Sequence, residues 1–180
     1  MADNSLISLI HSDLSRIVER EATFADFLRV FFIPRGANFH YVLWYRIVSH
    51  LKHKNHRILA IFPYYMLRHY EYKYGMHLNP NIKVGKGLLI VHGGAVYLNC
   101  ESIGENFTVY QGVTLGSKKY GNQWEFDVPS IGDNVTIYTG ATVCGKIHVG
   151  NNTVIGAHAY VDKDVADNIR IIGPENKRSL

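Results

Sequence analysis

The sequence contains little cysteine and little proline, and no apolar segment long enough to span a membrane. Its two cysteines, Cys100 and Cys144, have no metal-ligand or CxxC spacing, so we expect a reducing compartment and no disulfide framework. The longest apolar run, residues 58–67, is about half a membrane span. The first residues lack the basic and apolar regions of a signal peptide, so we expect a cytoplasmic protein.

Charge is also low and nearly balanced. The 180 residues include 19 Lys and Arg against 15 Asp and Glu, for a net charge of +4. Such a mild excess gives no indication of nucleic-acid binding, and we expect no nucleic-acid partner. The length suits one or two small domains with a real core.

The region from Val84 to Val165 is organised by a six-residue repeat. Aliphatic residues mark the repeat, with a slip of one residue before Ile103 and a longer interruption before Ile131: Val84, Ile90, Val96, Ile103, Val109, Leu115, Ile131, Ile137, Val143, Val149, Ile155 and Val161. A period of six fits neither a helix nor an alternating strand. It predicts a parallel β-helix, in which three units close a triangular coil and the inward aliphatics stack between coils.

The region before the repeat has helical patterns. Residues 5–33 read as one or two amphipathic helices, with a cap at Ser12-Asp13 and an end at 34–36. Residues 39–74 read as a helical hairpin that breaks near Lys54-Asn55. The predicted organisation is an α-helical domain over 1–80, a β-helix over 81–172 with an inserted loop at 118–130, and a tail over 173–180.

The helical hairpin is rich in aromatic and basic residues. Between Arg35 and Lys73 seven Lys and Arg residues accompany a single acid, Glu71, and ten aromatics are interleaved with them from Phe39 to Tyr74. Two interpretations stay open. The hairpin is either a packed helical cap with a basic edge, or a surface that meets a membrane or a lipid-linked anionic substrate. Peripheral contact with the inner face of the membrane is therefore an alternative to a purely cytoplasmic location.

Among ten histidines, His92 is the candidate for chemistry. It lies in Val-His-Gly-Gly at 91–94, where small neighbours leave room for a ligand. An imidazole is well suited to removing a proton near neutral pH. His148 and His158 occupy repeat positions that point outward, where we expect solvated side chains.

Three segments resemble the serine acetyltransferase branch of the hexapeptide-repeat acyltransferases: 87–94 around His92, Ile-Gly-Glu-Asn at 103–106, and Tyr-Gln-Gly-Val-Thr-Leu-Gly at 110–116. The helical segment 68–75 resembles shorter members associated with polysaccharide biosynthesis. The resemblance implies a left-handed parallel β-helix, an acetyl-CoA-dependent O-acetyltransferase without a metal, and a homotrimer with active sites between neighbouring solenoids.

The resemblance also implies roles for particular residues. His92 would act as general base while the acceptor hydroxyl attacks acetyl-CoA directly. Backbone N–H groups of Gly116 and Ser117 would stabilise the oxyanion. The pantetheine arm and nucleotide of acetyl-CoA would lie along the outer face of the coils, at Gly116, Ser117, Tyr138, Thr139, Ala157 and Lys177.

Two departures from the serine enzymes concern the acceptor. Their Asp-x-His-Pro, whose aspartate orients the catalytic histidine, is His-Leu-Asn-Pro at 77–80 here. Their Arg-His-Pro, which grips the amino acid, is Asp-Val-Pro at 127–129 here, without a cation for a carboxylate. The group that orients His92 stays open between His77, Glu101, Asp127 and a backbone carbonyl.

The first functional prediction is therefore acetyl transfer to a sugar hydroxyl of a surface polysaccharide or its precursor. Asp127 suits hydrogen bonds from sugar hydroxyls, and Trp124 and Phe126 suit stacking on a pyranose. The alternative is serine O-acetylation, with Lys118 or Lys119 replacing the arginine.

Two further alternatives belong to other classes. A zinc carbonic anhydrase would need three histidine ligands, and His92, His148 and His158 lack the close pair such enzymes use. A non-catalytic trimeric scaffold is the other, and it is disfavoured by His92 and by the motif around Gln111.

Overall fold

The computed structural model describes residues 5–33, 37–120, 123–125 and 127–173. Within these residues four helices precede sixteen short strands. The helices are α1 (Leu6–Val18), α2 (Phe24–Phe32), α3 (Ala37–His53) and α4 (Ile61–Tyr74). The predicted fold class, a small α-helical domain followed by a left-handed parallel β-helix, is confirmed.

The first two helices begin at polar caps. The Ser5 side chain accepts a hydrogen bond from the Ser8 N–H at 3.3 Å, and Thr23 forms a capping box with Asp26 at the start of α2. The predicted cap at Ser12-Asp13 is wrong. Asp13 lies inside α1 and is buried, because its carboxylate has a partner on another helix.

Helices α3 and α4 form the predicted hairpin, and the break falls at residues 54–60. Helix α4 ends at Gly75, whose φ of +62° is a left-handed conformation that favours glycine. The chain enters the first strand directly afterwards. Among the described helices, none combines the length and the apolar character needed to cross a membrane.

Three parallel sheets form the faces of the solenoid. The first face consists of β1 (Met76–Leu78), β4 (Val96–Leu98), β7 (Thr114–Gly116), β12 (Thr142–Cys144) and β15 (Tyr160–Val161). The second consists of β2 (Lys83–Val84), β5 (Ser102–Ile103), β10 (Ser130–Ile131) and β13 (His148–Val149). The third consists of β3 (Leu89–Ile90), β6 (Thr108–Val109), β11 (Thr136–Ile137), β14 (Val154–Ile155) and β16 (Arg170–Ile171).

On the second and third faces the inward aliphatics stack as the six-residue repeat predicts, whereas on the first face Leu98, and not the predicted Val96, pairs with Leu115. On the third face Ile90, Val109, Ile137 and Ile155 pair in register and are all buried. Each coil therefore completes the apolar column of the next, and no coil could bury its own residues alone. The predicted domain division stays a prediction, although the first sheet already begins at Met76.

Two corners of the coil explain why glycine and asparagine recur. A Cβ added to Gly85 would lie 2.6 Å from the carbonyl carbon of Gly104 in the next coil, so the close stacking there requires glycine. At another corner four asparagines have φ between 55° and 62° and donate side-chain hydrogen bonds of 2.9–3.1 Å from one to the next: Asn106, Asn134, Asn152 and Asn168. This ladder satisfies the amides of the corner along the solenoid.

The inserted loop leaves the solenoid after β7. It contains an antiparallel pair, β8 (Lys118–Tyr120) and β9 (Gln123–Glu125). Phe126 and the side chain of Trp124 lie outside the described residues, so the predicted stacking of these rings on a sugar is a prediction only.

A buried ion pair joins the helices to the first coil. The Arg46 Nε lies 2.8 Å from Asp13 Oδ2, and the two side chains are 3% and 1% exposed. Arg46 also donates to the carbonyl oxygens of Val84 and Gly85, and Asp13 accepts from the Leu88 N–H at 2.7 Å. The pair thus links α1, α3 and the first coil, with its polar atoms satisfied by the backbone.

Candidate active site

His92 lies in an enlarged corner between β3 and β4. Leu98 pairs with Leu115, so the chain takes eight residues from Ile90 to Leu98 where the next coil takes six from Val109 to Leu115. The two additional residues belong to the loop that carries His92. In the sequence the insertion of two residues appears only as a slip of one, because the chain between β4 and β5 is one residue shorter than the regular repeat.

Helix α3 holds this corner. The Asn38 side chain donates to the carbonyl oxygens of Ile90 and Val91 at 3.1 and 3.2 Å. A Cβ on Gly93 would collide with the Asn38 side chain, and Gly94 has φ of +134°. Packing against the Asn38 side chain of α3 therefore favours glycine at 93. The His92 side chain itself is exposed.

A row of aromatic rings extends from His92 along the third face. The Tyr110 ring meets His92 edge-on with centroids 6.2 Å apart. Tyr138 stacks on Tyr110 at 4.8 Å. The predicted pantetheine residue Tyr138 thus shares a continuous aromatic surface with the predicted base.

On the third face, the residues two positions after the inward aliphatics of three successive coils form a ridge: Gln111, Thr139 and Ala157. Neighbouring corners are hydrogen-bonded, since Gly140 N–H donates to Gln111 O at 3.0 Å and His158 N–H donates to Thr139 O at 2.9 Å. In the first coil Gly94 takes the equivalent place, because its carbonyl oxygen accepts from Gly112 N–H at 3.1 Å, and His92 lies in the enlarged loop before it. We call the row of Gln111, Thr139 and Ala157 the His92 ridge, after the histidine at its corner. It brings two predicted acetyl-CoA residues, Thr139 and Ala157, to the corner that carries His92 in the first coil.

Gln111 is a functional candidate that the sequence reasoning did not assign to the site. In the described part of the chain, its Oε1 atom is buried without a hydrogen-bond partner. A buried acceptor without a partner costs free energy, so a ligand donor here would be stabilising. The signal in the sequence was the motif Tyr-Gln-Gly-Val-Thr-Leu-Gly at 110–116.

The predicted oxyanion residues lie at a different corner. Gly116 ends β7 on the first face, pairs with Cys144, and accepts a hydrogen bond from the Gly145 N–H at 3.0 Å. Ser117 follows it. Within one protomer the first face therefore lies between these residues and His92, and the structure does not bring the two groups together in a single chain.

Asp127 lies on the same side as Gly116. Its carboxylate lies 3.5 Å from Lys146 Nζ, and both side chains are mostly or half exposed. Lys118, one candidate for replacing the arginine of the serine enzymes, is ion-paired with Asp162, and its ammonium lowers the pKa of that carboxyl. The side chain of Lys119 and all of Lys177, the predicted nucleotide contact, lie outside the described residues.

His77 has the partner that the sequence did not identify. Its Nδ1 lies 3.3 Å from Oε1 of Glu71, a buried residue of α4 that is also ion-paired with Arg68. The His77 ring stacks on Tyr97 at 5.0 Å. Glu101, another candidate for orienting His92, precedes β5 and lies toward the second face.

The remaining histidines occupy separate surfaces. His148 and His158 are exposed, as expected from their outward positions, and belong to the second face and the His92 corner respectively. Over the described ranges, no group of three or more His, Cys, Asp or Glu residues is placed to hold a metal ion. The carbonic anhydrase alternative therefore has no ligand set in that part of the chain.

Comparison with known proteins identifies the family. The profile described as "Bacterial transferase hexapeptide (six repeats)" matches residues 129–163. A serine acetyltransferase of Staphylococcus epidermidis is 33% identical over 171 residues, covering 93% of this chain and 76% of that protein. The chain belongs to the serine acetyltransferase family. A serine acetyltransferase of Staphylococcus aureus is 32% identical over the same length.

Solved members of this family have the same fold. The serine acetyltransferase of Neisseria gonorrhoeae in complex with serine is 28% identical, with a TM-score of 0.73, and the match covers 96% of this chain and 68% of that one. A serine acetyltransferase in complex with CoA is 25% identical, with a TM-score of 0.70, covering 91% and 65%. The predicted enzyme class, an acetyl-CoA-dependent O-acetyltransferase, is confirmed by this membership. The relatives' names agree with the predicted alternative, serine acetylation, more directly than with a sugar acceptor.

Proposed function

We propose that this protein transfers acetyl from acetyl-CoA to a hydroxyl, with His92 as general base. The observation that carries the proposal is the exposed His92 beside Tyr110, at the corner of the solenoid where Gln111, Thr139 and Ala157 follow one another in successive coils. The acceptor oxygen would attack the thioester carbonyl carbon as His92 Nε2 or Nδ1 takes its proton. The carbon–sulfur bond then breaks, and the thiolate of CoA receives the proton from the His92 imidazolium, which restores the neutral base.

The residues along the ridge suit acetyl-CoA. Pantetheine carries amide N–H groups, and the unpartnered Gln111 Oε1 would accept a hydrogen bond from one of them. Beyond Ala157 the ridge leads to a surface hollow lined by His158, Tyr160, Arg170 and Ile172. The Arg170 guanidinium there suits the phosphates of the nucleotide.

We further propose that the site forms between protomers of a homotrimer. His92 lies at one corner of the coil, whereas Gly116, Ser117 and Asp127 lie beyond the first face. In a closed three-fold packing of triangular solenoids, the His92 corner of one protomer would meet the Gly116 corner of its neighbour. Light scattering should give three times the chain mass of 20.4 kDa. A monomeric mass would contradict this arrangement.

For His77 we propose a positioning role. With Nδ1 directed at Glu71, the other ring nitrogen, Nε2, would contact the corner that carries His92. A buried carboxylate from α4 would then fix the histidine that stands where the serine enzymes have aspartate. Glu71 acts through His77 and does not itself meet the substrate.

For the acceptor we propose a sugar hydroxyl of a surface polysaccharide or its precursor. The segment where the serine enzymes place Arg-His-Pro contains Asp127, and the nearby cation, Lys146, is already paired with that carboxylate. The pair has no net charge to attract the carboxylate of an amino acid. A carboxylate with a nearby ammonium instead suits the donors and acceptors of a neutral polyol.

Serine is the second candidate, and the family supports it. The serine acetyltransferases of both Staphylococcus species are 32–33% identical over nearly the whole chain. If Lys119 meets the serine carboxylate, the loss of the arginine would be compensated.

Direct competition between acceptors separates the two. The purified protein is incubated with acetyl-CoA and either millimolar L-serine or a panel of nucleotide sugars and oligosaccharides, and products are identified by mass spectrometry. We expect acetylated sugar and no O-acetylserine. Asp127→Ala should lower sugar turnover by about tenfold, since a hydrogen bond to a charged group is lost. Efficient formation of O-acetylserine would overturn the sugar acceptor while leaving the proposed base in place.

A further inference from the structure

The connection between α3 and α4, together with the first turns of α4, forms an exposed apolar surface. We call residues 52–65 the hairpin tip. Its large apolar side chains are mostly solvent-exposed: Ile58 84%, Leu59 65%, Ile61 67%, Phe62 65% and Tyr65 69%. Single exposed apolar residues are ordinary, but a contiguous group of five marks an interaction surface.

The hairpin tip is held in shape from beneath. Ala60, Pro63 and Leu67 are buried against the rest of the hairpin. The Phe62 ring meets Trp44 of α3 edge-on at 5.9 Å, and Lys52 Nζ lies 5.6 Å from the centroid of Tyr64. The apolar residues are therefore presented outward by a packed helix pair.

The charge around these residues is entirely positive. Lys52, Lys54 and Arg57 are exposed at the tip, and the sequence contains no Asp or Glu between Asp26 and Glu71. The one arginine of α3, Arg46, is buried in its pair with Asp13. The hairpin tip thus combines basic and apolar side chains and contains no Asp or Glu of its own.

We infer that the hairpin tip binds the surface of an anionic membrane. Apolar side chains that enter the headgroup region, surrounded by cations that meet lipid phosphates, form the pattern of an interfacial anchor. The described helices do not include a spanning segment, so the contact is with the surface.

A second copy of this chain fits the hairpin tip less well. A two-fold contact at the tip would set Lys52, Lys54 and Arg57 against the same residues of a partner. No acid within the hairpin tip would offset that repulsion. The inference concerns a surface at the helical end of the molecule and does not rest on the proposed acetyl transfer.

Vesicle sedimentation tests the inference. The full chain is mixed with vesicles of phosphatidylcholine alone or with about 30% phosphatidylglycerol, and we expect binding only to the anionic vesicles, weakened by salt. Lys54→Glu with Arg57→Glu should weaken binding by at least roughly tenfold, because each cation contributes about fivefold. Ile58→Ser with Phe62→Ser should weaken it by a similar factor.

Ile172→Ser is the matched control, because this residue is 79% exposed and follows the last strand, far along the solenoid. It should bind vesicles as the wild type does, and thermal unfolding should show that every variant is folded. Absence of binding to anionic vesicles, or equal loss in the Ile172→Ser control, would overturn the inference. The inference would also be overturned if the tip variants changed the oligomeric mass in solution without changing vesicle binding. The tip would then be a contact between copies of the chain.

Discussion

The contacts that stabilise the solenoid recur in successive coils, whereas those that stabilise the helical domain each occur once. In the solenoid each stabilising contact is repeated: the inward aliphatics pair in register, and the asparagines of one corner bond to their copies in the next coil. In the helical domain the important contacts occur once. The Asp13–Arg46 pair, the Asn38 amide and the Glu71–His77 contact have no copies. The comparison teaches that repeated contacts stabilise the solenoid as a scaffold, whereas contacts that occur once give one part of it a particular geometry.

The single contacts converge on the first coil, which is also where His92 lies. Arg46 donates to the carbonyl of Val84, Asn38 donates to the corner that carries His92, and Arg16 of α1 donates to the carbonyl oxygen of Gly87 at 3.3 Å. A coil at the end of a solenoid lacks a neighbour on one side, so the helices act as its cap. The same contacts fix the geometry of the candidate site.

Breaking the cap should have the largest effect on stability. Asp13→Ala leaves the buried Arg46 guanidinium without its carboxylate, so the free energy of unfolding should fall by about 3–5 kcal/mol. Urea denaturation measures it. Glu105→Gln is the control, because its pair with Lys86 at 3.5 Å is exposed and should contribute about 0–1 kcal/mol. Equal effects of the two changes would show that the cap is not held by the buried pair.

A change within the repeat should be smaller. Ile137 is fully buried between Val109 and Ile155, so Ile137→Ala should cost about 2–5 kcal/mol through lost burial and the resulting cavity. The neighbouring Thr136 faces outward, and Thr136→Ala should change stability by about 0.5 kcal/mol or less. Thermal or urea unfolding of the pair tests the inward register. If Thr136→Ala lowered the stability strongly and Ile137→Ala left it unchanged, the strand would have the opposite register to the one described.

The contact between α4 and His77 should affect catalysis more than stability. Glu71→Gln keeps the shape of the side chain but removes the charge facing His77, and we expect kcat to fall about tenfold. The KM for acetyl-CoA should be unchanged, because the His92 ridge does not include Glu71. Steady-state kinetics with a sugar acceptor separate these parameters. A raised KM at constant kcat would argue against positioning of the base.

The repeat made most of the fold predictable, and its interruptions hid the site. Inward residues such as Ile137 and Val143 follow from spacing alone, because the same local pattern recurs in every coil. The enlarged corner of His92 appeared only as a slip of one residue, since an insertion of two was masked by a shorter turn before Ile103. The length of the enlarged corner became clear only from the pairing of the strands on either side of it.

Contacts between distant segments could not be predicted. Asp13 and Arg46 are 33 residues apart, and nothing in either helix pattern indicates that they meet. Glu71 was noticed as the single acid of a basic hairpin, but its partner became evident only when α4 was placed over β1. Asp127 and His92 were assigned to one site by resemblance, and the structure places them on different corners of the chain.

The most direct test of the central claim is acetyl transfer by His92→Ala. Loss of the base should lower the rate by about 10²–10⁴-fold, while unfolding and oligomeric mass stay as in the wild type. His148→Ala is the matched control, since this exposed histidine lies on the second face, where its Nδ1 is 3.0 Å from Ser130 Oγ. It should retain nearly full activity. A His92→Ala protein that turns over acetyl-CoA and acceptor at a near-normal rate would contradict the assignment.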